Sequence, residues 1–211
     1  MDQATAYAQA VVDGKVVAPR WVKLACQRHF RDLQNPAFVW DVDESERRIG
    51  MCTTLRHYKG PAKGKPFIPE PWQCWFIGSI FGWKLKESGM RRYRKAFCMV
   101  PRKNGKTYMA AAVAVRYDEQ DAFCRPLGAD SDSLDGLNPS CAIKDEYHAW
   151  KDRVLNEVID DAYGAREQPL DFIITTEGSR RDGIHDETVA HLENVLMQVV
   201  KDESFFGAMW R

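Results

Sequence analysis

The sequence lacks the features that would place it in a membrane or outside the cell. None of the apolar runs in its 211 residues is long enough to cross a bilayer, and the start, MDQATAYAQAVVDGKVV, has no basic segment followed by an apolar stretch. The six cysteines stand singly, without a CxxC pair, which favours reduced core residues over a disulfide framework. We therefore expect a cytosolic protein that is neither secreted nor inserted into a membrane.

The chain also has no net charge, because 30 Lys and Arg residues balance 30 Asp and Glu residues. A neutral sum does not exclude nucleic acid, since binding depends on where the charges lie. The basic cluster 91–95 (RRYRK) precedes an apolar strand, and we interpret it as a solvated loop that prevents pairing at a sheet edge. Any DNA binding by the isolated chain should be weak and strongly salt-dependent.

The first sixty residues predict helices, because apolar residues recur at helical spacing over 4–13, 19–35 and 45–58. The proline- and glycine-rich segment 60–71 marks a boundary. The segment 72–85, WQCWFIGSIFGWKL, predicts a strongly apolar helix. These patterns predict three regions: a helical N-terminal segment (1–60), a core (61–183), and a C-terminal helix with a linker (184–211).

An apolar run over 96–100 breaks into the loop PRKNGKT and continues as YMAAAVAV. That order predicts a buried strand, a tight loop and a helix that begins near Gly105, Lys106 and Thr107. Backbone amides at a helix start carry the positive end of the helix dipole, which attracts a polyphosphate, and Gly105 lets it approach closely. Lys106 would then pair with its negative charge, and Thr107 would bind its magnesium. Val100 stands where the usual GxxxxGK[ST] pattern has a glycine.

Two later apolar segments also end in polar groups. In CAIKDEYHAW, Asp145 could hold magnesium through water and Glu146 could act as a general base for the attacking water. In FIITTEG, Thr175 and Thr176 could sense the γ-phosphate, the alternative being a threonine-rich strand end. Strands that alternate with helices predict an α/β fold, with a P-loop NTPase-type parallel sheet flanked by helices and ligands at the carboxyl ends of the strands.

Together these segments resemble the large terminase subunit of tailed bacteriophages, the motor that packages DNA into empty capsids. The loop PRKNGKT looks like that family's altered Walker A motif, DEYHAWKDR like its Walker B motif, and ITTEGSRRDG like its coupling motif. The segment KGKPFIPEPWQCWFIGSIFGWK resembles the adenine-recognition segment, with Gln73 in the position of the adenine-reading glutamine. An amide can pair with both the donor and the acceptor of adenine.

The resemblance implies a role for each matching residue. Lys106 would bind the β- and γ-phosphates, Thr107 and Asp145 the magnesium, and Glu146 the water. Arg102 would act as an arginine finger that stabilises charge as the phosphate leaves, with surface charge as the alternative. The implied nucleotide contacts are Gln73, Asn104, Gly105, Lys106, Thr107, Thr175 and Thr176.

The implied function is that of an ATPase motor domain with ATP and magnesium as cofactors, preceded by a helical segment that could form a lid. The implied partners are double-stranded DNA, portal protein and the small terminase subunit. The chain would work in a homo-oligomeric ring in the host cytoplasm, transiently docked on the procapsid portal. Because the family's nuclease domain would begin after Arg211, we expect no DNA cleavage by this chain.

The chain departs from the family in the short interval 108–144 between Thr107 and Asp145, where members place further strands and helices, the gap falling near 116–129. Lys144 also interrupts the apolar strand before the carboxylates. Two alternatives follow. The first is a shortened, non-catalytic terminase variant that binds capsid or portal partners. The second is a helicase-like phosphate-loop nucleotidase unrelated to packaging.

Overall fold

A computed structural model describes residues 1–114, 126–127, 137–150, 153–164, 166–178 and 183–211. Within these ranges the helices are α1 (Gln3–Val12), α2 (Arg20–Leu33), α3 (Val42–Met51), α4 (Pro71–Gly82), α5 (Lys106–Ala114), α6 (Val154–Asp161) and α7 (Ile184–Leu196). The strands are β1 (Phe38–Trp40), β2 (Trp83–Leu85), β3 (Lys95–Met99), β4 (Cys141–Asp145), β5 (Leu170–Thr175) and β6 (Phe205–Met209). None of these helices is long and apolar enough to cross a lipid bilayer.

Four parallel strands form the main sheet, in the order β4–β5–β3–β6. In the middle of the sheet, Phe97 of β3 lies opposite Ile173 of β5 and Gly207 of β6. On the other side of β5, Asp145 of β4 lies opposite Ile174. Because all four strands run the same way, their carboxyl ends share one edge. This topology confirms the predicted parallel sheet flanked by helices.

Helices cover both faces of this sheet. On one face, α7 packs so closely that a Cβ atom at Gly207 would lie 2.7 Å from Cδ2 of Leu192. On the other face, the ring of Phe76 in α4 lies against Phe172 and Phe206, with ring centroids 6.2 and 5.0 Å apart. Every residue of β5 and β6 is buried, as expected for parallel strands between two helical layers.

The N-terminal helices form close to the predicted positions. The carboxylate of Asp2 caps α1 and that of Asp41 caps α3, each by accepting a backbone N–H of the first turn. Because Asp41 provides the cap, α3 begins at Val42 rather than near Ser45, and it ends at Met51 rather than at residue 58. Helices α1 and α3 pack against α4, and α2 packs against β6 and α7. The lid role of this segment stays a prediction.

Two short apolar segments form strands that the sequence did not predict. The residues after Gly82 form β2, which pairs antiparallel with β1, so the apolar helix ends before Trp83. Near the C-terminus, β6 pairs parallel with β3, with Met209 opposite Met99. Apolar runs of three to five residues are too short for periodicity to distinguish a strand from a helix. Residues 205–209 therefore belong to the central sheet.

The interpretation of the basic cluster 91–95 as a solvated loop was wrong. Arg92 is buried, and the strand that follows lies in the middle of the sheet rather than at its edge. Its Nη1 donates to Oδ2 of Asp32 at 2.7 Å, and its Nη2 donates to Glu203. The guanidinium also lies over the ring of Phe38, 3.5 Å from the centroid. The cluster thus joins α2 to the segment before β6.

Replacing Asp32 by alanine should destabilise the protein by about 3–5 kcal/mol, because it leaves the buried guanidinium of Arg92 without its more deeply buried carboxylate partner. Oδ2 of Asp32 also lies 3.5 Å from Nε of Arg28, so a second buried cation loses one of its two carboxylate partners, the other being Glu203. Urea denaturation followed by tryptophan fluorescence measures the change. The control is Asp13→Ala, which removes an exposed pair with Lys15 and should leave the midpoint nearly unchanged. Equal midpoints for both variants would contradict this prediction.

The buried cysteines among the described residues are free thiols in the core, as the sequence predicted. Burial raises the pKa of Cys52 and Cys74 to about 11, so these thiols stay protonated and poorly nucleophilic at neutral pH. Cys124 lies outside the described residues. The buried cysteines are Cys26, Cys52, Cys74 and Cys98, and Cys141 is partly buried.

Candidate active site

The carboxyl ends of β3, β5 and β4 bring the three predicted motifs to one edge of the sheet. Met99, the last residue of β3, lies opposite Thr175, and Asp145 lies opposite Ile174. The backbone N–H of Val100 donates to the carbonyl of Thr175 at 3.1 Å, which extends the pairing into the loop. Because β5 lies in the middle, the two threonine positions lie between the carboxylates and the loop 100–105 that joins β3 to α5, which we call the phosphate loop.

The loop between β3 and α5 is held in a tight turn. Nδ2 of Asn104 donates to the carbonyl of Pro101 at 3.1 Å and to the following carbonyl at 3.3 Å. Lys103 and Gly105 have φ angles of 69° and 75°. A Cβ atom at Gly105 would lie 2.8 Å from Nε2 of Gln73, so this position needs glycine for its conformation and for space. The helix that starts next offers the amides that a phosphate binds.

Gln73 is buried in the first turn of α4, where both ends of its amide contact backbone groups. Its Oε1 accepts the N–H of Glu70 at 2.8 Å, as one half of a capping box. Its Nε2 donates to the carbonyl of Asn104 at 3.3 Å, which joins the helix to the phosphate loop. Reading adenine would require the amide to exchange these partners for the base, and that role stays a prediction.

Gln73→Ala should weaken the affinity for ATP about tenfold more than the affinity for GTP, because the predicted role of the amide is to contact the base and not the phosphates. Titration of both nucleotides measures the difference. Glu70→Ala is the matched control, since it removes the other half of the capping box and leaves the amide in place; it should affect both nucleotides equally. If Gln73→Ala also lowers both affinities equally, Gln73 stabilises the phosphate loop and does not read adenine.

An ion pair joins the phosphate loop to the carboxylates of the second motif. Nζ of Lys106 lies 2.7 Å from Oε1 of Glu146. The Lys106 side chain is only 11% exposed, whereas that of Glu146 is 52% exposed, so the pair opens to solvent on the carboxylate side. A triphosphate carries several negative charges and would compete with this single carboxylate for the ammonium group.

Glu146 has a left-handed backbone conformation, with φ 50° and ψ 40°. This conformation is strained for a residue with a side chain, and such strain is concentrated at functional sites. Local hydrogen bonds hold the turn: the N–H of Glu146 donates to Oδ1 of Asp145, and its carbonyl accepts the N–H of Ala149, both at 2.8 Å. The turn keeps the two neighbouring carboxylates exposed at the sheet edge.

Thr107 and Asp145 fit the predicted magnesium site in their chemistry. Both are exposed at the edge of the sheet where the phosphate loop ends. Mg²⁺ prefers oxygen ligands, keeps several waters and binds through one or two carboxylates together with substrate phosphates. Among the described residues, no group of three His, Cys, Asp or Glu side chains could hold a metal ion. The magnesium role of Thr107 and Asp145 stays a prediction.

His148, to which the sequence analysis gave no role, contacts the second and third motifs. Its Nδ1 lies 3.3 Å from Oε2 of Glu146 and 3.0 Å from Oγ1 of Thr175. Oγ1 of Thr176 lies 3.5 Å from the same nitrogen. Thr175 and Thr176 are buried, so their hydroxyls contact this ring inside the protein. The only sequence signal was a histidine two positions after the carboxylate pair.

Lys144 is buried, and its positive charge is paired. Its Nζ donates to Asn156 and Asp160 of α6, both at 2.8 Å, and to Asp171 of β5 at 3.0 Å. Two carboxylates and an amide thus offset the cost of burying the ammonium group. This departure from an apolar strand therefore fixes β4 to β5 and α6, and with them the carboxylates that follow Lys144.

The remaining predicted site residue, Arg102, is exposed on the loop, and its arginine-finger role stays a prediction. Parts of the predicted motifs lie outside the described residues. These are 151–152 of the Walker B segment, 179–182 of the coupling segment, and 115–125 and 128–136 of the short interval. The other predicted site residues are brought together at the loop and the adjoining strand ends.

A family profile described as "Terminase large subunit, ATPase domain" matches residues 71–118 and 116–194 of this chain. Together these segments cover more than half of the chain, and they contain α4, the phosphate loop, the carboxylates and the threonines. The two matches meet at 116–118, within the short interval noted in the sequence.

Two individual proteins are also similar. Protein YmfN of Escherichia coli (strain K12) is 38% identical over 76 residues, which are 36% of this chain and 17% of YmfN. The crystal structure of the HK97 bacteriophage large terminase matches with a TM-score of 0.52 at 16% identity, covering 79% of this chain and 44% of that chain. At this identity the structural likeness concerns the fold alone. The matches span less than half the length of either protein.

Proposed function

This chain belongs to the family of terminase large-subunit ATPase domains, and from that premise we propose that it hydrolyses ATP with magnesium to move double-stranded DNA into a procapsid. The observation that carries this proposal is the contact of Lys106 with Glu146, beside Thr175 at the end of the intervening strand. These residues come from three separate parts of the sequence and meet where parallel sheets bind their ligands.

In the proposed reaction, Lys106 binds the β- and γ-phosphates, and Thr107 and Asp145 hold the magnesium that neutralises them. Glu146, released from its ion pair, accepts a proton from the water that attacks the γ-phosphate. Arg102 stabilises charge as the phosphate leaves. The protein thus acts chiefly by positioning groups and by placing charge.

The proposed partners follow from the packaging role. A motor that must accept any sequence grips DNA through its backbone phosphates. Thr175 and Thr176 would link hydrolysis to movement of the DNA-gripping surface. We propose that the chain works as a homo-oligomeric ring in the host cytoplasm, docked on the portal of the procapsid and assisted by the small terminase subunit.

A second candidate is a shortened, non-catalytic terminase variant that binds capsid or portal partners. It is favoured by the two profile matches, which meet at 116–118 within the short interval. Against it stands the sheet order, because β5 still lies between β3 and β4 and the site residues still meet. An unrelated helicase-like nucleotidase is no longer an alternative, since the chain belongs to the terminase family.

Phosphate release by the purified chain tests the proposed function. We expect ATP turnover that requires magnesium, stops with EDTA and rises when portal protein, small subunit and DNA are added. Nucleotide binding without turnover under all these conditions would favour the non-catalytic variant instead. Strand separation of a short duplex, measured in parallel, should not occur.

A further inference from the structure

The geometry points to His148 as a positioning residue that holds the carboxylate of Glu146 and links it to Thr175 at the end of β5. The inference rests on the proposed function, because Glu146 needs a fixed position only if it activates water. Nothing in the family match assigns this role to the histidine. It would make the general base sensitive to the strand that carries the coupling motif.

The hydrogen-bond partners fix where the imidazole carries a proton. The hydroxyl of Thr175 donates its one hydrogen to the carbonyl of Thr176 at 3.0 Å, so Oγ1 can only accept further bonds. It accepts the backbone N–H of His148 at 3.1 Å and faces Nδ1 at 3.0 Å. The carboxylate of Glu146, 3.3 Å from the same nitrogen, is also only an acceptor. Both acceptors lie nearer to Nδ1 than the hydroxyl of Thr176, which is 3.5 Å away and could donate to this nitrogen. We therefore assign a hydrogen to Nδ1, which Thr175 and Glu146 share.

The ring of His148 is seated against backbone on one side. A Cβ atom at Gly178 would lie 2.8 Å from Cβ of His148, so the segment after β5 leaves no room there for a side chain. The preceding residue, Tyr147, is buried, and its hydroxyl donates to Oδ1 of Asn156 at 3.1 Å. These contacts restrict the turn on which the imidazole is placed.

This position matters most when nucleotide binds. In the structure, Lys106 holds Oε1 of Glu146 and His148 holds Oε2. Once the triphosphate draws Lys106 away, the proposed base loses one of these two contacts. His148 then keeps Oε2 in place and leaves Oε1 facing the attacking water. Losing a hydrogen bond to a charged group should lower turnover rather than nucleotide affinity.

Two substitutions of similar polarity distinguish the contribution of Nδ1 from that of the rest of the ring. The amide nitrogen of asparagine reaches the place of Nδ1, whereas that of glutamine reaches the place of Nε2. His148→Gln should lower kcat about 10- to 100-fold, with KM and nucleotide affinity changed less than about twofold. His148→Asn should retain most of the wild-type kcat. The inference is wrong if both variants turn over ATP at the wild-type rate, or if asparagine is no better than glutamine.

A measurement that needs no activity keeps this inference separate from the proposed function. In ¹⁵N-labelled, nucleotide-free protein, long-range ¹H–¹⁵N spectra report which ring nitrogen of each of the five histidines is protonated. The signals that vanish in His148→Asn identify this ring. We expect a proton on Nδ1, and Glu146→Ala should shift its signal. An unprotonated Nδ1 would overturn the link even in an active enzyme, whereas a protonated Nδ1 would support it even if the wild type released no phosphate.

Discussion

Lys106→Ala should lower ATP affinity about 100-fold or more. The substitution removes an ammonium group that is proposed to make two charge-assisted hydrogen bonds to the β- and γ-phosphates, each worth about 1.5–3 kcal/mol. Lys106 is well placed for this role because it is mostly buried and is the first residue of α5, and the start of a helix is where backbone amides bind phosphate. Calorimetric titration with a non-hydrolysable ATP analogue in magnesium buffer measures the loss.

The matched control is Lys103→Ala, which removes the same charge three positions earlier in the loop. Lys103 is exposed and has a positive φ angle, a strain that alanine shares, so the substitution changes charge while the demand on the backbone stays similar. Its ATP affinity should stay close to that of the wild type. Undiminished ATP affinity in Lys106→Ala would show that the nucleotide does not bind at this loop. Equal losses of affinity in both variants would show that the effect depends on the total charge of the loop and not on Lys106 in particular.

Glu146→Gln should keep nucleotide and magnesium affinity but lower kcat about 100- to 10,000-fold, the typical effect of losing a positioned general base. Glutamine preserves the length of the side chain and an oxygen that can accept from Lys106, but it cannot take a proton from water. Its left-handed backbone is also no more strained than that of glutamate. Phosphate release under saturating ATP measures turnover, and titration of the analogue measures binding.

Two further variants distinguish the loss of a general base from other effects of removing a carboxylate. Glu157→Gln changes an exposed carboxylate on α6 and should leave kcat unchanged. Asp145→Asn should instead raise the magnesium concentration needed for half-maximal turnover, because the proposed role of Asp145 is to hold the cation. Near-normal hydrolysis by Glu146→Gln would show that another residue acts as the general base. A shared loss in Glu146→Gln and Glu157→Gln would indicate a general electrostatic effect.

Local patterns allowed much of the fold and of the candidate site to be predicted from the sequence. The apolar run 96–100, followed by glycine, lysine and threonine, predicts a strand, a turn and a helix start, because each depends on neighbours a few residues away. Carboxylates or threonines directly after two more apolar runs reach the same sheet edge, since parallel strands share their carboxyl ends. The family resemblance rested on the same local motifs and their order.

Features that depend on distant partners could not be predicted in this way. From the sequence alone, Arg92 is interpreted as a surface charge. In the structure it pairs with Asp32 and Glu203, which are far away in the sequence. From the sequence alone, Lys144 is a charge that interrupts an apolar strand. In the structure Asp160 and Asp171 pair with it. A charge is stable in the interior only where its partners are, and no local periodicity reports those partners.

By itself, the sequence determined the fold class, the phosphate loop and the family, because local order and residue type are enough for these. Only the tertiary structure decided that residues 205–209 complete the sheet beside β3 and that His148 joins Glu146 to Thr175. The physical reason is that strand neighbours and shared protons are set by contacts across the sheet. Such contacts form only when segments far apart in the chain are packed together.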